Sequence, residues 1–125
     1  MDENAPSRIL FIDDHADTCY MVKEWLGMSN YEVATAQSMA SGLQLARSEP
    51  FDLYLLDTRL PDGSGRELCE KIREFDLKTP IIFYSGETPE QLRSVLACGA
   101  QDYVRKPELE GLRTAVSRAM SAGRA

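Results

Sequence analysis

The chain has 125 residues, 43% hydrophobic and 27% charged, the composition of one globular domain. Its 20 acidic residues outnumber 14 Lys and Arg, and the net charge of -6 would repel a phosphate backbone, which argues against nucleic-acid binding. No apolar run approaches the roughly 20 residues of a membrane span, and the acidic opening Met1-Asp2-Glu3-Asn4-Ala5-Pro6-Ser7 is unlike a secretory signal. Cys19, Cys69 and Cys98 lack metal-ligand spacing and lie among apolar residues, as small core hydrophobes do, so a reducing, cytoplasmic compartment is expected.

In chain order, the first element is the apolar run Ile9-Leu10-Phe11-Ile12, which stops at Asp13-Asp14. Cys19, Val22 and Leu26 then recur at helical spacing. Tyr31-Glu32-Val33-Ala34-Thr35 alternates, as a strand near a sheet edge does. Ser38 is placed to cap a second helix carrying Met39, Leu43 and Ala46. Leu53-Tyr54-Leu55-Leu56 is another apolar run and stops at Asp57, after which Leu68, Ile72 and Phe75 mark a third helix. Ile81-Ile82-Phe83-Tyr84 stops at Ser85. Thr88 and Pro89 open a fourth helix bearing Leu92, Val95 and Leu96, with Gly99 as its stop. Tyr103-Val104 is a weaker strand followed by Lys106-Pro107, and Leu112, Val116 and Met120 define the last helix. The first seven residues and Ser121–Ala125 are expected to fray.

Five strand–helix repeats imply an α/β fold, a (βα)5 doubly wound five-stranded parallel sheet with helices on both faces. One domain is expected over 1–125, with its core at about 8–120. Short continuous apolar runs suit strands covered on both sides.

In such a sheet, ligands bind outside the carboxyl ends of the strands. Those ends carry Asp13-Asp14, Asp57, Ser85 and Lys106. Clustered carboxylates repel one another, and a hard cation relieves the repulsion; an oxygen donor set without His or Cys favours Mg2+. Cation, ammonium and hydroxyl together can neutralise a transferring phosphoryl group, and an aspartate can itself be the nucleophile.

The segments Ile9–Asp14, Leu55–Gly65, Ile81–Gly86 and Gly99–Pro107 resemble bacterial two-component response regulator receiver domains of the single-domain, chemotaxis-regulator-like kind. The resemblance spans about residues 8–120 and implies a flavodoxin-like strand order 2-1-3-4-5. It implies that Asp57 accepts a phosphoryl group from a phosphohistidine on a sensor histidine kinase or phosphotransfer protein. It further implies Mg2+ on Asp14 and Asp57, with Asp13 acting largely through water and the Arg59 backbone carbonyl completing the protein ligands. Lys106 would pair with the phosphoryl group, Ser85 would move to hydrogen-bond it, and Tyr103 would turn inward as a switch. Backbone N–H groups of Thr58 and Gly86 would cradle oxygens. The output surface would be the fourth helix, fifth strand and fifth helix, roughly Thr88–Gly99 and Asp102–Met120.

Blander roles are expected elsewhere. Pro61 and Gly63 shape a loop, and His15 is a partly exposed residue opening the first helix. Trp25, Tyr54 and Tyr84 pack; Arg93, Arg113 and Arg118 are either ion-paired surface or part of a partner face. Arg59 and Glu87 flank the acceptor and could pair across it. Glu108 stands where receivers commonly carry an apolar residue.

An aspartyl phosphohydrolase would need a second Asp two residues after the nucleophile, where Arg59 stands; a nucleotide site would want a glycine-rich first turn. The expected function is a phosphoacceptor switch that assists only its own phosphorylation and slow self-dephosphorylation, without other enzymatic turnover. It would signal to an unknown downstream protein, as a monomer or a phosphorylation-dependent dimer, without membrane or nucleic-acid contact. A phosphorylation-independent interaction module, or a receiver excised from a hybrid kinase or multidomain regulator, are the alternatives.

Overall fold

The computed structural model describes residues 6–123. Strands β1 (Ser7–Ile12), β2 (Tyr31–Ala36), β3 (Leu53–Leu56), β4 (Ile81–Ser85) and β5 (Asp102–Arg105) form one parallel sheet in the order 2-1-3-4-5. Helices α1 (Ala16–Gly27), α2 (Met39–Ser48), α3 (Gly65–Arg73), α4 (Pro89–Val95) and α5 (Leu109–Gly123) alternate with them. The expected (βα)5 architecture is what the chain adopts, with the alternating strand β2 at the sheet edge.

Strand parity divides the core into two layers. Leu10, Ile12, Tyr54, Leu56, Ile81 and Phe83 point to one face, where Leu68, Ile72 and Leu92 meet them. Ile9, Phe11, Leu53, Leu55, Ile82 and Tyr84 point to the other, against Val22, Leu26, Leu112 and Val116. Each fully buried Leu, Ile or Phe contributes about 1.5–3 kcal/mol relative to exposure, so β1, β3 and β4 are anchored from both sides.

The helix starts follow their sequence signals. Ser38 Oγ accepts from Ser41 N at 3.1 Å, and Thr88 and Gln91 form a reciprocal capping box with Pro89 at the first turn. Asp62, reaching from the β3–α3 loop, accepts from Met39 N at 2.7 Å and Ala40 N at 2.9 Å, and these bonds lower its pKa. After α4 a 3-10 turn, Leu96–Cys98, ends at Gly99, whose φ of 105° is left-handed.

Two expectations need correction. Phe75 does not extend the α3 stripe: the helix stops at Arg73, and Phe75 is 42% exposed beneath the Arg47 guanidinium. Asp76 ends that helix by accepting from Lys78 N, Thr79 N and Thr79 Oγ1, a local turn that competes with further helix. The expected fraying does not reach Ser7, which opens β1, or Ser121, which lies within α5. Residues 1–5 and 124–125 lie outside the described residues.

Trp25 packs as expected and also ties α1 to α5, since its indole N–H donates to Leu109 O at 2.8 Å. Arg113 stacks on the same ring and pairs with Glu110, which places it in a local surface network. Glu108 is exposed and its carbonyl accepts from Leu112 N, opening α5; the half-buried Leu109 follows it.

Candidate functional site

Three main-chain bonds extend the sheet past its last paired residues and fix the functional side chains in register. Asp13 N donates to Ala36 O at 3.0 Å, Asp57 N to Ile12 O at 3.0 Å, and Lys106 N to Ser85 O at 2.8 Å. Because these residues leave neighbouring strands at the same edge, Asp13, Asp57, Ser85 and Lys106 converge although they are distant in sequence.

Asp13 is fully buried, and its two oxygens serve different partners. Oδ2 accepts from Lys106 Nζ at 2.6 Å, whereas Oδ1 accepts from His15 N at 2.9 Å and lies 3.1 Å from His15 Nδ1. Asp57 is 6% exposed; its Oδ1 accepts from Thr58 N at 2.8 Å, and its Oδ2 lies 3.7 Å from Lys106 Nζ. Burial pushes the Asp57 pKa up, the Lys106 charge pulls it down, and Asp13 raises it again; the net direction is upward. The exposed Asp14 reaches the cluster from the rim.

Ser85 Oγ and Thr58 Oγ1 lie 2.8 Å apart, both buried, and Glu87 N donates to Ser85 Oγ at 3.3 Å. Arg59 Nε stands 3.4 Å from Glu87 Oε1, the pairing expected across the acceptor. Arg59, Gly86 and Gln91 join Asp14, His15, Asp57 and Lys106 around an open depression of about 610 Å³. Tyr103 is half-buried against the face of the core that holds Leu92 and Phe83.

The loop after Asp57 is closed by Gly65 N donating to Thr58 O at 2.9 Å and by a two-residue antiparallel ladder, Arg59–Leu60 against Gly63–Ser64. A Cβ at Gly65 would collide with the Asp57 carbonyl and the Phe83 ring, so this glycine lets α3 start against the acceptor's own backbone. Its role, like that of Gln91 on the rim, was not singled out from sequence. The Gly in the Asp-Gly-Ser-Gly run and the Thr-x-x-Gln capping spacing were the available signals.

The donor set fits a hard divalent cation. One ligand atom each from Asp13, Asp14, His15 and Asp57 lies within 4.8 Å of the others, and three of the four are carboxylate oxygens. Lys106 offsets part of the negative charge, and among the described residues Asp13 Oδ1 and Asp14 are faced by the His15 imidazole and by no Lys or Arg.

The fold and site together are those of an open parallel α/β sheet with an acid–lysine cluster at its carboxyl edge. Residues 9–117 match the family described as "Response regulator receiver domain", and the chain belongs to that family. The nisin biosynthesis regulatory protein NisR of Lactococcus lactis subsp. lactis is 40% identical over 101 residues, 80% of this chain and 44% of NisR. PilR of Pseudomonas aeruginosa is 33% identical over 116 residues, 90% of this chain and 26% of PilR. The chain thus spans less than half the length of these curated relatives. Among solved structures, a CheY-like receiver domain protein from Methanospirillum hungatei JF-1 superposes with a TM-score of 0.89 at 29% identity, covering 95% of this chain and 97% of the other. The chemotaxis response regulator CheY4 of Vibrio cholerae gives 0.80 at 28% identity, covering 91% and 98%. Among the described residues, no helix is long and apolar enough to cross a membrane.

Proposed function

We propose that this domain is a phosphoacceptor switch in which Asp57 takes a phosphoryl group from a phosphohistidine on a sensor kinase or phosphotransfer protein. The observation that carries this reading is the convergence of Asp13, Asp14 and Asp57 within one cluster, with Lys106 Nζ 2.6 Å from Asp13 and 3.7 Å from Asp57.

In the proposed reaction the Asp57 Oδ2–P bond forms as the P–N bond to the donor imidazole breaks, and an acyl phosphate results. Thr58 N–H holds Oδ1, which leaves Oδ2 toward Lys106 as the attacking atom. Burial that raises the proton affinity of Asp57 also strips water from its carboxylate, and the Lys106 charge opposes that rise. Asp13, Asp14 and Asp57, with the Arg59 carbonyl, would hold Mg2+, which when bound supplies charge neutralisation for the phosphoryl oxygens. Lys106 and the N–H groups of Thr58 and Gly86 would share that load. Positioning and charge stabilisation dominate this chemistry, so the site needs no separate acid or base.

Phosphorylation adds nearly two negative charges beside Thr58 and Ser85. Ser85 Oγ, now paired with Thr58 Oγ1, would exchange that partner for a phosphoryl oxygen. Tyr103, two residues before Arg105 on β5, would follow into the space released, and the surface of α4, β5 and α5 would change with it. The switch is then a population shift between two packings, limited by the differential contacts each makes with the phosphate. The domain acts on itself alone, works in the cytoplasm, and delivers its signal by binding a downstream protein.

Incubation of the protein with acetyl phosphate, with and without Mg2+, and intact-mass measurement tests this. One phosphoryl adduct that requires Mg2+ and is absent from Asp57→Asn is expected. No adduct under any condition would favour a phosphorylation-independent interaction module.

A further inference from the structure

His15 is the chain's single histidine. It sits at the N-cap position of α1, yet its side chain makes no capping bond to that helix. The ring turns toward the acidic pair instead. Nδ1 lies 3.1 Å from Asp13 Oδ1 and 3.1 Å from Asp14 Oδ1. The backbone N–H of the same residue donates to Asp13 Oδ1 at 2.9 Å, so the main chain itself holds the ring over the carboxylates.

The two oxygens of Asp13 divide the site. Oδ2 belongs to Lys106, on the side of Asp57 Oδ2. Oδ1 faces Asp14 and His15, and this is the side without an ammonium. Two donor atoms bound at neighbouring corners of one octahedral ion, at metal–ligand lengths of about 2.1–2.2 Å, lie about 3 Å apart. The separations from His15 Nδ1 to both carboxylate oxygens have that value.

We propose that His15 Nδ1 is a further protein donor to the divalent-cation site, making it a mixed oxygen–nitrogen pocket that favours Mn2+ over Mg2+ more strongly than the carboxylates alone would. The inference rests on the cation site of the proposed phosphoacceptor function and adds a ligand to it. An imidazole whose proton sits on Nε2 presents the Nδ1 lone pair to the cluster, at the atom that lies 3.1 Å from both carboxylate oxygens. Mg2+ dehydrates reluctantly and prefers oxygen, so it keeps water at the corner His15 offers. First-row transition ions accept imidazole readily, and Mn2+ is the mildest of them. Exposure of His15 does not oppose this role, because the ring lies on the rim of the same open depression that Asp14 and Asp57 line.

The test uses the full chain with Mn2+ alone as the probe. Protein carrying 15N-labelled histidine is examined by pulsed electron paramagnetic resonance, and a directly bonded imidazole coupling is expected. The chain's single histidine assigns that signal without ambiguity. Titration calorimetry of Mn2+ and Mg2+ on the unaltered protein and His15→Gln is expected to show the Mn2+:Mg2+ affinity ratio falling about tenfold in the variant, a typical effect of altering a metal's ligand environment. Mn2+ bound without nitrogen coupling, or a ratio unchanged in His15→Gln, would overturn the proposal. Binding that is lost in Asp13→Asn with Asp14→Asn yet lacks the nitrogen signal defeats His15 alone. Absence of binding by either ion, or binding that survives that double substitution, defeats the cation site and the phosphoacceptor reading with it.

Discussion

Lys106 Nζ lies 2.6 Å from Asp13 Oδ2, a contact between residues 93 positions apart in the chain. Asp13 is fully buried, and Lys106 is the ammonium that faces it. Removing one member of a buried ion pair leaves a charge without compensation and typically costs about 3–5 kcal/mol. Lys106→Met should therefore lower stability to urea at pH 7 by about 3 kcal/mol without divalent cation. Part of that loss should return when Mg2+ is added. Equal unfolding midpoints for the two proteins would show that the pair contributes nothing.

Gly65 and Gly27 give opposite expectations for the same substitution. A methyl group at Gly65 meets the Asp57 carbonyl and the Phe83 ring, while at Gly27 it meets nothing within 4 Å. Gly65→Ala should cost more than about 2 kcal/mol, as backbone collisions in a packed region do. Gly27→Ala, on a helix, should gain up to about 1 kcal/mol. Thermal unfolding of both variants measures what the close approach of α3 to the acceptor costs, and equal midpoints would contradict it.

Asp76 provides the pH signature of the fold. Burial acts to raise its pKa, but hydrogen bonds from Thr79, Lys78 and Tyr54 outweigh burial and lower it. A depressed carboxylate stabilises the folded state above its unfolded pKa of about 3.9, and that contribution disappears as pH falls through the folded value. The unaltered protein should therefore lose stability as pH falls below about 4 more steeply than Asp76→Asn. Parallel stability profiles over that window would remove Asp76 from the account.

Arg59 and Glu87 lie 3.4 Å apart on the rim of the depression, above the acceptor. If the pair limits water access to an acyl phosphate, Arg59→Ala with Glu87→Ala should shorten the phosphoryl lifetime several-fold. The decay of radiolabelled adduct in Mg2+ reads this out, and an unaltered lifetime would refute the gate.

Strands β1, β3 and β4 were legible because burial on both faces writes them as short apolar runs, and the topology then places their last residues together. Asp13, Asp57, Ser85 and Lys106 followed from that alone. The resemblance supplied their roles and those of Tyr103 and Gly86. What stayed hidden depends on contacts between segments. The Thr58–Ser85 hydroxyl pair and the reach of Asp62 to α2 have no local pattern to announce them. Phe75 misled because its spacing continued a helical stripe, while the hydrogen bonds of Asp76 ended the helix first.

The most direct test of the central claim is the position of the phosphoryl group itself. Borohydride reduction converts an aspartyl phosphate to homoserine, and peptide sequencing by mass spectrometry then locates it. The account predicts homoserine at position 57 and nowhere else after treatment with phosphodonor and Mg2+. Homoserine at position 13 or 14, or an adduct retained in Asp57→Asn, would contradict it.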